Sequence, residues 1–156
     1  MAEFLDHLWV FFISILPVVE LRGAIPAGAL LGLPLWSNYL VSVFGNFLPV
    51  PFILLFIRHI LAWMKTTKHF ARIALWLEEK AQKNSEKVMK YASFGLFVFV
   101  AIPLPGTGAW TGSLVAALLN MRMKYALPSI LCGVLTAGVI MSLASYGVVG
   151  IFNFFL

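Results

Sequence analysis

The fold is decided by the stretch Pro17-Val18-Val19-Glu20-Leu21-Arg22-Gly23-Ala24-Ile25-Pro26. Within it, Glu20 and Arg22 are the only charged residues in an apolar run from Leu8 to Ile57, and prolines and a glycine interrupt the helix around them. A charge in hydrocarbon costs about 2.5–3.5 kcal/mol, so such residues usually face a bundle interior or a water-filled path. The stretch therefore predicts a broken membrane helix that carries buried charge.

The composition indicates that lipid surrounds most of this chain. The chain has 156 residues, of which 62% are hydrophobic and 11% charged, and its mean hydropathy is +0.96. These values predict an all-α integral membrane protein with a single domain, residues 1–156. A monomer of this size offers few helices to enclose a substrate path, so we expect a homo-oligomer, a dimer or higher.

The first apolar run is too short to cross a bilayer. Residues 4–16 form 13 positions, or about 20 Å of helix against a hydrocarbon core of about 30 Å. The chain then breaks at Pro17 and resumes as helix from about Gly23, which predicts a re-entrant hairpin. Residues 35–64 are long enough for a crossing, with a kink placed by Gly45 or by Pro49-Val50-Pro51.

The same order recurs in the second half. Residues 91–102 form a short apolar run, a break follows, helix resumes at Ser113, and residues 123–156 form a second crossing. The break reads Pro103-Leu104-Pro105-Gly106-Thr107-Gly108-Ala109-Trp110-Thr111-Gly112. A hairpin plus one crossing changes sides once, so two such units in series are inverted repeats, as in secondary transporters. We place repeat one at 1–64 and repeat two at 91–156.

A basic segment, residues 65–90, joins the repeats. Eight of the eleven lysines and arginines fall between residues 58 and 90, and apolar residues recur among them at steps of three and four, which predicts an amphipathic helix. Its apolar positions are Phe70, Ile73, Ala74, Leu77 and Ala81. This stripe argues against a nucleic-acid partner. The positive-inside rule makes the segment cytoplasmic in a multi-pass protein of the cell membrane, with both termini on the outer side.

The first motif offers a binding charge. The planar guanidinium of Arg22 suits bidentate contact with a phosphate or carboxylate, and a break around Gly23 would let Glu20 and Arg22 both turn inward. Burial disfavours an ionised Glu20 while the neighbouring cation favours one, so a protonation change coupled to anion binding is one hypothesis. The other is a Glu20–Arg22 pair that only clamps the hairpin.

The second motif carries no charge. Thr107, Thr111 and the backbone N–H groups of Gly106 and Gly108 stand at the start of a helix, where unpaired donors favour an anion. The alternative is that these glycines only permit a tight turn and close helix packing.

Two further polar positions have more than one interpretation. Trp110 could stack on a substrate, anchor the hairpin at an interface or fill core. Asn46 could line the path or bond between helices. The three histidines show no metal-ligand spacing, and no motif of an enzyme or of a cofactor site is present. We therefore expect no metal, no cofactor and no catalysis.

The two motifs, residues 20–26 and 103–112, resemble the signature motifs of the small multidrug export protein family, which is similar to the wider DedA (SNARE-associated) group of membrane proteins. The resemblance covers nearly the whole chain. It implies two re-entrant hairpins in inverted repeats and movement of polyprenyl-phosphate carrier lipids across the bacterial membrane with proton coupling.

The leading hypothesis is a transporter or flippase for an anionic phospholipid or polyprenyl phosphate. The headgroup would sit between Arg22 and the second break, with Glu20 as a proton site. One alternative is export of hydrophobic cationic drugs, for which Glu20 would be the binding charge. Another is a non-transporting membrane scaffold with purely structural hairpins.

Overall fold

The computed structural model describes residues 2–66, 86–104 and 106–155, so most of the predicted basic amphipathic helix lies outside it. Every regular element in the described residues is an α-helix, which confirms the all-α prediction. The helices are α1 (Ala2–Ile15), α2 (Glu20–Leu30), α3 (Leu35–Phe47), α4 (Val50–Thr66), α5 (Glu86–Ala101), α6 (Ala109–Leu118) and α7 (Met123–Phe155).

Two stretches are long and apolar enough to cross a membrane. Leu35–Ile57 has 23 residues and Met123–Ile151 has 29, with hydropathies of 2.2 and 2.0. At 1.5 Å per residue both exceed a hydrocarbon core of about 30 Å. The first is interrupted at Leu48 and Pro49, between α3 and α4. Of the two predicted kink positions, the structure therefore uses the proline pair, because prolines donate no helical hydrogen bond.

The shorter helices come in two pairs. α1 and α2 flank the first break, residues 16–19, and α5 and α6 flank the second break, residues 102–108. Both helices that follow a break begin earlier than predicted. α2 begins at Glu20 instead of about Gly23, and α6 at Ala109 instead of Ser113. The non-helical φ values lie at Glu20 itself, 53°, and at Gly108, 142°, so both breaks end earlier than predicted.

The two halves close in the same way. After α2, the Leu33 N–H donates to the Gly28 carbonyl at 3.0 Å, and after α6 the Met121 N–H donates to the Ala116 carbonyl at 2.9 Å. These bonds define the same helix-ending motif at both sites. Gly32 and Asn120 precede them at φ 78° and 50°, respectively.

The core lies between the halves. α1, α2 and α3 pack together, as do α5, α6 and α7, while α2 contacts α7 and α4 contacts α6 across the middle. Leu21 and Ile25 of α2 are buried with Val100, Ile130 and Val134 in one cluster. This cross-packing brings the two breaks to the same place.

A buried amide fixes α2 at the end remote from the first break. Asn38 Nδ2 donates to the Ile25 carbonyl at 2.8 Å and to the Tyr146 hydroxyl at 3.0 Å. Tyr146 in turn donates to the Leu33 carbonyl at 2.7 Å. Asn38 is fully buried, so this network joins α2, α3 and α7.

Candidate functional site

The two breaks face one cavity of about 380 Å³. Its lining comes from both breaks, from the first turns of α2 and α6, and from Met141 of α7. Five of the predicted substrate-binding residues are among the lining residues, namely Glu20, Arg22, Gly106, Thr107 and Thr111. The structure therefore brings together two motifs that are more than 80 positions apart in the sequence.

Arg22 reaches across the cavity to the second break. Its Nη1 donates to the Leu104 carbonyl at 2.5 Å and to the Thr107 carbonyl. Its Nη2 donates to Thr107 Oγ1 at 2.8 Å and to the Ile102 carbonyl at 3.2 Å. These carbonyls follow the C-terminal end of α5, where the helix dipole is negative and favours a cation. Arg22 thus ties α2 to the second break.

Thr107 is the hub of the second break. Its hydroxyl lies 2.8 Å from the Ile102 carbonyl and 3.0 Å from the Leu104 carbonyl, and it can donate to one of them while accepting from Arg22. The side chain predicted to contact an anion thereby also shapes the loop. Thr111 lines the cavity one turn further along.

Glu20 binds the other helix end at the second break. Its side chain is 3% exposed, and Oε1 accepts the Trp110 backbone N–H at 3.1 Å. The Ala109 N–H and the Asn46 side chain also lie close to this carboxylate. The first residues of α6 have unpaired N–H groups and the positive end of the dipole. Glu20 supplies the matching negative charge.

The backbone at Glu20 is strained. Its φ is 53°, in the left-handed region, which costs a non-glycine residue about 1–2 kcal/mol. Strain of this kind persists where surrounding structure enforces it, and it gathers at functional sites. The hypothesis that Gly23 provides the break was wrong, since Gly23 lies within α2, its N–H donating to the Val19 carbonyl at 3.1 Å. Gly23 does not line the cavity.

The absence of a side chain at Gly108 leaves room for the Glu20 carboxylate. A Cβ atom at this position would collide with the Glu20 carboxylate, and the φ of 142° is one that side-chain-bearing residues rarely adopt. Gly106, at φ 82°, has open space around its Cβ position. Glycine is therefore favoured at position 108 by both space and backbone conformation, and at position 106 by backbone conformation alone.

Among the residues that the structure describes, three polar atoms at the site have no hydrogen-bond partner. They are Glu20 Oε2, Arg22 Nε and Asn46 Oδ1, all buried. Glu20, Arg22 and Asn46 line a common gap that leaves no space for a water molecule. Buried polar atoms are normally satisfied, so each such exception calls for an explanation. Arg22 forms its hydrogen bonds with the second break and Glu20 with the start of α6, and not with each other.

Trp110 joins the site to a second surface. Its indole Nε1 donates to the Ile15 carbonyl at 3.0 Å, at the end of α1. Its ring also lines an apolar groove of about 910 Å³ along α4. The other lining residues are Leu48, Pro49, Phe52, Ile53, Leu55, Phe56, His59, Ile60 and Trp63. Of the three interpretations of Trp110, an anchor for the hairpin best describes its hydrogen bond.

Sequence reasoning missed two parts of the site. Met141 lines the cavity, but it is one apolar residue among many in this crossing and gives no signal. The carbonyls of Ile102 and Leu104 are backbone atoms that no residue type marks. Asn46 was identified from its polarity in an apolar run, and it lies beside Glu20.

A family model described as "Putative small multi-drug export protein" matches residues 20–140. The chain belongs to this small multi-drug export family. The match begins at Glu20 and includes Arg22, the second break, the crossing Leu35–Ile57 and the first part of the crossing Met123–Ile151. Of the residues that line the cavity, Pro17, Val18, Val19 and Met141 lie outside the matched range. No curated protein and no solved structure matches the chain. Membership in the small multi-drug export family agrees with a membrane protein built from apolar helices.

Proposed function

We propose that this protein moves an anionic lipid, such as a polyprenyl phosphate, across the cell membrane. The observation that carries the proposal is the cavity between the two breaks, which has Arg22 in its wall. A guanidinium binds phosphate through two parallel hydrogen bonds. The Arg22 donors now face loop carbonyls, which a charged phosphate oxygen would replace with stronger, charge-assisted bonds.

The proposed architecture is two inverted repeats, each with a re-entrant hairpin. A Cβ at Gly45 would meet Phe11 and Ser14 of α1, and a Cβ at Gly133 would meet Phe97 and Val100 of α5. The two sets of contacts are 86 positions apart on the short helices and 88 on the crossings, close to the spacing of Pro17 and Pro103. This equivalence supports a common ancestry of the two halves. α1, at 14 residues, is also too short for a straight crossing.

The topology follows from two such units. The basic segment would be cytoplasmic, and both termini would lie on the outer side. The hairpins would then enter from opposite leaflets and meet at the cavity near the midplane, as broken helices do in secondary transporters. Assembly as a dimer or higher oligomer would enclose the exposed sides of the cavity.

Native mass spectrometry of the purified protein with bacterial lipid extract tests the substrate. We expect a retained phosphate lipid that is lost in Arg22→Ala and weakened in Arg22→Lys, which keeps the charge without the planar fork. The matched control is Arg122→Ala, because Arg122 is exposed at the start of α7. Equal retention by Arg22→Ala and Arg122→Ala would contradict the proposal.

Proton coupling belongs to the same proposal and has its own test. Glu20 would be the proton site, so Glu20→Gln should change how lipid transport in vesicles depends on pH. An unchanged pH profile would leave Glu20 without this role.

Export of hydrophobic cations is the second candidate function. The family description and the apolar groove beside Trp110 favour it, since a drug-sized ligand needs a pocket of about 300–1,000 Å³. In that case Glu20→Gln, and not Arg22→Ala, would abolish binding of a lipophilic cation. A chain that retains no ligand of any lipid or drug class would instead be a membrane scaffold.

A further inference from the structure

The anion position at the start of α6 is already filled. Glu20 Oε1 accepts the Trp110 N–H at 3.1 Å, and the Ala109 N–H lies close to the same carboxylate. Amide groups at the N-terminus of a helix are a ready-made site for an oxyanion. The protein's own side chain therefore stands where a phosphate oxygen of the proposed substrate would bind best.

The fit leaves no room for a second anion. The side chain of Glu20 is 3% exposed and its Oε2 is buried without a partner. On one side Gly108 touches the carboxylate so closely that a Cβ there would collide with it. On the other side the gap shared with Arg22 and Asn46 does not admit water. An incoming oxyanion can use these amides only after the carboxylate has left.

The displaced carboxylate has somewhere to go. Glu20 also lines the 380 Å³ cavity between the breaks, so its carboxylate can reach solvent or headgroup space there. Arg22 lines the same cavity and is the charged group facing Glu20 in this part of the described structure. The positive charge of Arg22 attracts the displaced Glu20 carboxylate as well as a bound phosphate.

We propose that Glu20 is an internal competitor, and that an oxyanion headgroup binds at the Ala109 and Trp110 amides by displacing the Glu20 carboxylate. The inference rests on the proposed function, because it takes the substrate to be an anion. A site that is free only part of the time binds its ligand with an affinity reduced by that fraction. Wild-type protein therefore binds the anion more weakly than a variant in which the amides stay free.

Two substitutions separate the reach of the side chain from its charge. Glu20→Asp keeps the charge but is one methylene short, and aspartate tolerates the left-handed φ of this position better than glutamate does. Glu20→Gln keeps the reach but loses the charge. The matched control is Glu3→Asp, since Glu3 is an exposed acid in the first turn of α1.

The full chain in neutral detergent is titrated with dodecyl phosphate, and binding is followed by native mass spectrometry and calorimetry. Glu20→Asp should bind at least about tenfold more tightly than wild type, the scale of one charge-assisted hydrogen bond, and Glu3→Asp should match wild type. A second titration with inorganic phosphate identifies the source of the anion. An equal gain in affinity for inorganic phosphate would support displacement of the carboxylate, but it would identify free phosphate as the ligand.

The opposite pattern overturns the inference. If Glu20→Asp binds like wild type while Glu20→Gln binds more tightly, only the charge matters and nothing is displaced. If the wild type and both Glu20 variants bind no dodecyl phosphate, the anionic-lipid function itself fails. The two failures are therefore distinguishable in one set of titrations.

Discussion

The first break contains no glycine and leads directly into two charged residues, whereas the second contains Gly106 and Gly108 and no charge. The structure explains the asymmetry. Arg22 binds the carbonyls that follow α5, and Glu20 binds the amides that begin α6. The first turn of α2 supplies side chains, and the second break and the start of α6 supply backbone atoms, so the two halves complete each other.

Removing the cation should have the largest effect on this arrangement. Arg22→Ala removes the guanidinium donors from the carbonyls of Ile102, Leu104 and Thr107, and we expect a loss of about 3 kcal/mol of stability. The midpoint of unfolding in detergent, by heat or denaturant, measures it. Arg122→Ala should leave the midpoint unchanged. Equal midpoints for the two variants would mean that the breaks do not depend on Arg22.

The second effect tests the close approach of the two breaks. Gly108→Ala adds a Cβ that collides with Glu20, in addition to strain at φ 142°, so we expect about 2–3 kcal/mol of destabilisation. Gly106→Ala has strain at φ 82° but open space, and should cost about 1 kcal/mol. The difference between their unfolding midpoints isolates the Glu20 contact. A difference of zero would place the carboxylate elsewhere.

A third comparison concerns the two halves as wholes. Gly45→Ala and Gly133→Ala should each destabilise by about 1–3 kcal/mol, because each Cβ would press on the short helix of its own half. Gly147→Ala, in open space on α7, should be neutral or stabilising by up to about 1 kcal/mol. Thermal unfolding of the three variants shows whether the halves are equivalent. A large cost at only one of Gly45 and Gly133 would break that equivalence.

The smallest effect belongs to the anchor between the hairpins. Trp110→Phe keeps an aromatic ring but loses the bond to the Ile15 carbonyl, and should cost about 1 kcal/mol. Trp36→Phe is the control, since Trp36 is 74% exposed. Unfolding midpoints within error of each other would show that the indole N–H contributes nothing to the contact of α6 with α1.

Prolines and buried charge were enough to locate both breaks. Pro17 and Pro103 mark them because proline donates no helical hydrogen bond, and the expense of charge in hydrocarbon singled out Glu20 and Arg22. The all-α class followed from composition. Helix breaks at proline and buried charges both depend on residue type, so the sequence alone is enough to detect them.

Other features were beyond prediction for a physical reason. The left-handed backbone at Glu20 is enforced by contacts 90 positions away, and local propensity would assign such a conformation to glycine. The partners of Arg22 are carbonyl oxygens, which every residue has. That the charges serve helix ends and not each other depends on how α2 and α6 pack, which no local pattern records.

The buried amide of Asn38 has a mechanical consequence. It binds α2, α3 and α7 at a point remote from the cavity, and separating any two of them would strand polar atoms in an apolar interior. We expect these three helices to travel as one rigid body. If the protein moves its substrate as proposed, a helix outside this body that shifts against it at the second break would have to exchange the hydrogen bonds that Arg22 makes there.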